Sequence, residues 1–237
     1  MSLPLPCPCG QKADPSQISL HQTFPRLYPV PLCAPCAHAA DLAHQAEQSR
    51  RIQTEAHAKN FARYLATIPP EMRDTDPTHP HFNAALYSQI SAWTPAHPWL
   101  GVYGEPGACK TRSIALLAKH LILQGHHLTW TTATKIQTLL AQTWNGTPSE
   151  KRDASRTIAT YSTTDILVLD DIGKNTWTPT MESTLFQIID HRKTHYLPLL
   201  WSANEHPEEI LKTSGISPQI GGPLLGRLLE ASTLIEA

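Results

Sequence analysis

Gly104-Glu105-Pro106-Gly107-Ala108-Cys109-Lys110-Thr111, GEPGACKT, is the stretch whose reading decides the fold. An apolar run, WLGVY at Trp99–Tyr103, precedes it, and RSIALLAKHLILQG follows, with Ile114, Leu117 and Leu121 at helical spacing. Strand, glycine-bearing loop and helix in that order form the setting of a phosphate-binding loop. The residues fit G-x-x-x-x-G-K-[ST] at every fixed position but one, Cys109 standing where the pattern has glycine. Such a loop wraps phosphate in backbone N–H groups at a helix N-terminus, where the helix dipole favours an anion. Gly104 to Arg112 are therefore the expected nucleotide contacts: Lys110 reaches the β- and γ-phosphates and the Thr111 hydroxyl binds Mg²⁺. The competing reading is a vestigial loop in which the Cys109 side chain keeps phosphate away.

About 55 residues further on, DILVLDDIG carries the unbroken apolar run Ile166–Leu169, as expected of a parallel strand buried on both faces. It ends in Asp170 and Asp171. Acids at the carboxyl edge of such a strand lie beside the phosphate loop, so Asp170 is expected to join the Mg²⁺ shell and Asp171 to polarise an attacking water. Paired acids after a strand also serve as helix caps. A third apolar run, LPLLWSAN, ends at Asn204, a candidate contact for the γ-phosphate or the water. Between the two runs, Met181, Leu185, Ile188 and Ile189 mark a crossover helix, and Thr233–Ile235 reads as a last short strand. The expected fold is α/β, a P-loop NTPase with a five-stranded parallel sheet flanked by helices.

Further toward the N-terminus the composition changes. Eight of the 21 prolines and four of the five cysteines fall within the first 36 residues, which excludes long helices and central strands there. Cys7, Cys9, Cys33 and Cys36 form two close pairs separated by 23 residues. Four soft ligands on two chelating turns suit a structural zinc with no open coordination position. Two disulfides or unliganded thiols are the alternatives, and His38 is a possible substitute ligand. Ala37 to Leu65 contains neither proline nor glycine and reads as one helix with few large apolar residues, chiefly Ile52, Phe61 and Leu65. Ile68-Pro69-Pro70 stops it, and DTDPTHPHF at Asp74–Phe82 reads as a turn-rich linker. The expected division is a zinc-binding piece over 1–36, a connecting helix over 37–66, a linker over 67–98 and the ATPase core over 99–237.

The chain has 237 residues, 41% hydrophobic and 16% charged, with a net charge near −1. These values exclude a disordered acidic tail and a globally basic nucleic-acid coat. No run of about 20 apolar residues exists to span a bilayer, and the start lacks the basic-then-apolar order of a secretory signal, so a soluble cytoplasmic protein with no membrane partner is expected.

These residues resemble the AAA+ ATPases of the DnaC/IstB type, the bacterial and phage helicase loaders and transposition helpers. GEPGACKTR is similar to the Walker A motif of that family, LVLDDIG to its Walker B motif, SAN to its sensor strand, and IPPEMRDTD to the segment leading into its core. GGPLLGRLLE looks like the segment that supplies an arginine finger, which makes Arg227 the candidate, and the cysteines look like the zinc-binding domain of some loaders. The resemblance covers Ile68 to Ala237. It implies ATP bound between neighbouring subunits of an ATP-dependent homo-oligomer, a replicative helicase or other DNA-processing partner, contact with single-stranded DNA, and weak ATPase activity stimulated by DNA or partner. Asp171 stands where many members have glutamate, a difference that slows hydrolysis more than binding. The sequence ends ten residues after Arg227, so no C-terminal helical lid is expected. Lys135 falls where loaders present a nucleic-acid-binding element, and Lys151, Arg152 and Arg156 form a basic cluster whose ordinary reading is a solvated face. Trp130 and Trp144 are conceivable stacking platforms but are expected in the core. Three functions remain open: a DNA-linked loader-like ATPase or transposition helper, a non-hydrolysing nucleotide switch, and a small-molecule phosphotransferase.

Overall fold

The computed structural model of the protein describes residues 6–24, 26, 30–213 and 215–237. The chain divides into two compact units, Met1–Ala58 and Lys59–Ala237. The first holds α1 (Pro15–Thr23), capped by the Asp14 carboxylate, which accepts from Ser16 N at 2.9 Å. It also holds most of α2 (Ala34–Thr67), the helix expected from the proline-free stretch. Pro35 sits in its first turn, where a missing N–H leaves no bond unmade.

In the second unit, α3 (Pro70–Arg73) and α4 (Ala84–Ser91) lead into β1 (Trp99–Tyr103), α5 (Lys110–Leu123) and β2 (Leu128–Thr132). Then come α6 (Ala133–Asn145), α7 (Pro148–Thr163), β3 (Ile166–Ile172), α8 (Pro179–Thr194) and β4 (Leu199–Ala203). The unit closes with α9 (Pro207–Thr213), α10 (Gly221–Ala231) and β5 (Ser232–Glu236). Two helix starts share one device: Thr147-Pro148 and Thr178-Pro179 each place a capping hydroxyl before a proline suited to the first helical position.

The five strands form one parallel sheet in the order β2-β3-β4-β1-β5. Along β3 the side chains alternate between two cores. Ile166 and Val168 join Leu100, Val102 and Leu200 beneath α4 and α5, while Leu167 and Leu169 join Leu199 and Trp201 beneath α6, α7, α8 and α10. Coverage of both faces explains why the run is apolar without a break. Gly101 on β1 is glycine because a Cβ there would lie 2.2 Å from the Trp201 ring on β4. Trp130 is half-buried against the α5 side of the sheet. Trp144, by contrast, is not in the core: it occupies the last turn of α6, beyond the Ala133, Ile136 and Leu139 stripe, and is 71% exposed.

One charged side chain fastens this layer arrangement. Arg192 of α8 is 0% exposed and donates to the Tyr161, Thr164, Asp165 and Pro198 carbonyls, tying the end of α7 to the starts of β3 and β4. Burial lowers its pKa to about 10, so it stays charged at neutral pH. Methionine at this position would leave four carbonyls without their cationic donor. We expect Arg192→Met to destabilise the second unit by about 4 kcal/mol, read as a lower urea midpoint at unchanged slope.

Candidate functional site

The loop between β1 and α5 is built by backbone conformation. Gly104 has φ 137°, where an added Cβ would meet the Ala237 carbonyl oxygen at 2.7 Å, and Gly107 has φ 87°. Cys109 also takes the left-handed conformation, φ 66° and ψ 18°, so the residue that departs from the pattern adopts the backbone that favours glycine there. Its thiol donates to the His81 carbonyl at 3.3 Å. No side chain caps α5, which leaves its first N–H groups to an anion. Lys110, 5% exposed, curls back so that Nζ donates to the Gly104 and Glu105 carbonyls at 2.7 and 2.8 Å. Burial lowers its pKa, opposed by the Asp171 and Asp170 carboxylates.

Asp170 lies behind the loop, buried at the end of β3. Its Oδ1 accepts from Thr111 Oγ1 at 3.1 Å and from Ser202 Oγ on β4. Burial raises its pKa, and the two hydroxyls work against that shift. Asp171 has φ 60° and pairs with Lys174 Nζ at 2.9 Å. A cavity of about 200 Å³ is lined by Lys110, Thr111, Arg112, Asp171, Lys174 and Asn204, together with Pro106, Gly107 and Cys109 of the loop. The structure thus brings loop, second acid and Asn204 around one space. Thr111 and Asp170, a hydroxyl and a carboxylate in contact, are hard oxygen donors that fit a Mg²⁺ ion.

A second cavity, about 340 Å³, adjoins the loop at Gly107, Cys109 and Arg112 and is walled by Asp74, Asp76, His79, His81 and Phe82. The stretch read from sequence as a linker is therefore a wall beside the loop. Pattern reading gave no role of its own to Ser202, whose partners Asp170 and Asp171 are remote in sequence, or to Lys174, which lies just beyond the acidic motif. Arg227 lines neither cavity. On α10, its Nε donates to Asp190 Oδ1 at 2.7 Å and its guanidinium lies 4.4 Å from the Phe186 ring centroid. Lys135 on α6 and Lys151, Arg152 and Arg156 on α7 are exposed.

In the first unit, the sulfurs of Cys7, Cys9, Cys33 and Cys36 all lie within 4.8 Å of one another, and none is in a disulfide. Cys9 Sγ is 3.4 Å from Cys7 Sγ and 3.6 Å from Cys33 Sγ. Four thiolates about 2.3 Å from a tetrahedral zinc would stand about 3.8 Å apart, so the donor set fits that ion. Backbone amides of Cys9 and Cys33 lower the Cys7 thiol to about 6, while the crowding thiols of Cys33, Cys9 and Cys7 push Cys36 up to about 12. His38 is exposed and outside this group.

No protein-family model matches the sequence, and no curated protein matches it. Solved structures do. Domain III of the Thermotoga maritima replication initiation protein DnaA superposes with TM-score 0.55 at 14% identity, over 71% of this chain and 68% of that one. A DnaC helicase loader matches with TM-score 0.51 at 18% identity, over 73% of this chain and 98% of that one. A DnaA bound to AMPPCP and single-stranded DNA matches with TM-score 0.52 at 15% identity, over 71% of this chain and 50% of that one. The chain spans about half the length of the first replication-initiation structures it matches, 44% and 50%. At these identities the likeness establishes the fold alone, a five-stranded parallel sheet flanked by helices around a loop between β1 and α5. Among the described residues no helix is long and apolar enough to cross a membrane.

Proposed function

We propose that this chain binds ATP and works as a helicase-loader-like assembly factor in DNA replication, a DNA-linked ATPase of the cytoplasm. The observation that carries the reading is the convergence of Lys110, Thr111, Asp171 and Asn204 on one cavity, with Asp170 held against Thr111. The overlap with nearly the whole of a DnaC helicase loader supports the loader role over other P-loop activities. Residues 1–36 form a zinc-binding piece on Cys7, Cys9, Cys33 and Cys36, and 99–237 the ATPase core.

In this reading the uncapped N-terminus of α5 receives the phosphates, and Lys110 exchanges two loop carbonyls for β- and γ-phosphate oxygens. Thr111 and Asp170 would hold Mg²⁺, which neutralises phosphate charge when bound. Asp171, once freed from Lys174, orients the water, and Asn204 contacts the γ-phosphate. Arg227 leaves Asp190 to reach the nucleotide of a neighbouring subunit in the homo-oligomer. Single-stranded DNA lies along the exposed basic residues of α6 and α7, beside Trp144.

A second reading, a nucleotide switch that does not hydrolyse, is favoured by two observations: Asp171 is engaged by Lys174, and Cys109 places a side chain at the phosphate loop. A third role, as an IstB-like transposition helper, uses the same site with a transposase as partner. Steady-state ATP hydrolysis with and without single-stranded DNA separates the first two. We expect slow turnover that rises with protein concentration and with DNA and falls at least about 10-fold in Arg227→Ala. Tight nucleotide binding with no turnover under any of these conditions would select the switch.

A further inference from the structure

We propose that Ser202 is a positioning residue of this site, holding Asp170 for the divalent cation and fixing the backbone that carries Asp171. The proposal rests on the ATP-binding reading above and deepens it.

The register of β3 against β4 shifts at the acids. Leu169 pairs with Trp201 and Ile172 with Ala203, so Asp170 and Asp171 together stand opposite the single residue Ser202. This is the two-against-one pattern of a β-bulge, which leaves a backbone group without a ladder partner and re-aims the strand. The group left over is the Asp171 N–H, and it donates to Ser202 Oγ at 2.9 Å. Asp171 sits at φ 60°, a conformation that an aspartate keeps only where its surroundings specify it. The Ser202 hydroxyl proton goes the other way, to Asp170 Oδ1. One fully buried hydroxyl therefore accepts from the second acid and donates to the first.

The consequence is chemical. Successive side chains of a regular strand leave opposite faces, which would separate adjacent acids. Here Asp170 meets Thr111 while Asp171 lines the neighbouring cavity. Both hydroxyls engage Oδ1 of Asp170, and neither engages Oδ2. Thr111 is itself assigned to the cation, so Ser202 is the donor that orients Asp170 when the site is loaded. Such outer-shell donors typically carry 10–100-fold in metal affinity.

The test uses the full-length protein with Mn²⁺ and ADP. Electron paramagnetic resonance reads nucleotide-dependent Mn²⁺ binding, and calorimetry in EDTA reads ADP affinity without metal. Ser202→Ala should weaken Mn²⁺ binding about 10-fold or more and leave metal-free ADP affinity within about twofold. Ser202→Thr and Ser202→Val have nearly the same shape and differ in the hydroxyl, which controls for packing at a buried position. Thr is expected to bind Mn²⁺ about 10-fold more tightly than Val. Equal Mn²⁺ affinity across Ser202→Ala and wild type, or across the Thr and Val pair, overturns the proposal. Wild-type protein that binds no nucleotide would instead remove the ATP-binding reading itself, and this proposal with it.

Discussion

Lys110→Ala is expected to eliminate measurable nucleotide binding, with an affinity loss of at least about 100-fold, corresponding to about 2.7 kcal/mol. In the free protein the ammonium of Lys110 is held by two loop carbonyls only, Gly104 and Glu105. Its burial disfavours the charge, which the lowered pKa expresses. A triphosphate brings oxygen anions within direct reach of this ammonium, and in a half-enclosed cavity the attraction is screened less than in water. Removing the ammonium takes away the cation buried in the loop itself and leaves the phosphate oxygens there to the helix dipole and the more exposed Arg112 and Lys174. The fold should not suffer, because Lys110 is the first residue of α5 and alanine is the strongest helix former there. Calorimetric titration with ATP, beside a thermal melt, checks both halves. Wild-type-like affinity in Lys110→Ala would mean that ATP does not use this loop.

The loop and the sheet were legible because their signals are local. A glycine and lysine pattern between strand and helix, and apolar runs such as Ile166–Leu169, need no tertiary information; the sheet and both flanking cores follow from them. What escaped reading depends on residues far apart in the chain. Ser202 gains its role because a bulge in β3 brings two acids opposite it. Arg192 resembles any charge at a helix end, yet it binds three carbonyls of the distant stretch 161–165 and that of Pro198, and is wholly buried. The turn-rich residues His79–Phe82 read as a linker because their composition is that of one, whereas the structure sets them beside Cys109. Trp144 was misplaced for the opposite reason. Hydrophobicity argued for the core, and only the ending of α6 decides otherwise.

Removing zinc is expected to unfold the first unit while the second keeps its melting transition. Among the described residues of 1–58, those that are fully buried are Cys7, Pro31 and Cys33, and α1 contributes none. So few buried apolar side chains among the described residues offset little of the entropy of ordering the backbone, and a metal link among the four sulfurs would add folding free energy. The second unit has two extensive cores of its own and needs no such link. Elemental analysis should find about one zinc per chain. A strong chelator should then expose four reactive thiols in addition to Cys109 and abolish hydrogen-exchange protection over the described residues of 7–36, with the amides of β1, β3 and β4 unchanged. Cys33→Ser should reproduce that loss without chelator, since a buried sulfur in contact with Cys9 disappears. Acid should do the same, because thiols must lose their protons to bind the metal. Protein that carries no zinc and keeps its 7–36 protection in chelator would show that this unit is ordered by something other than a metal.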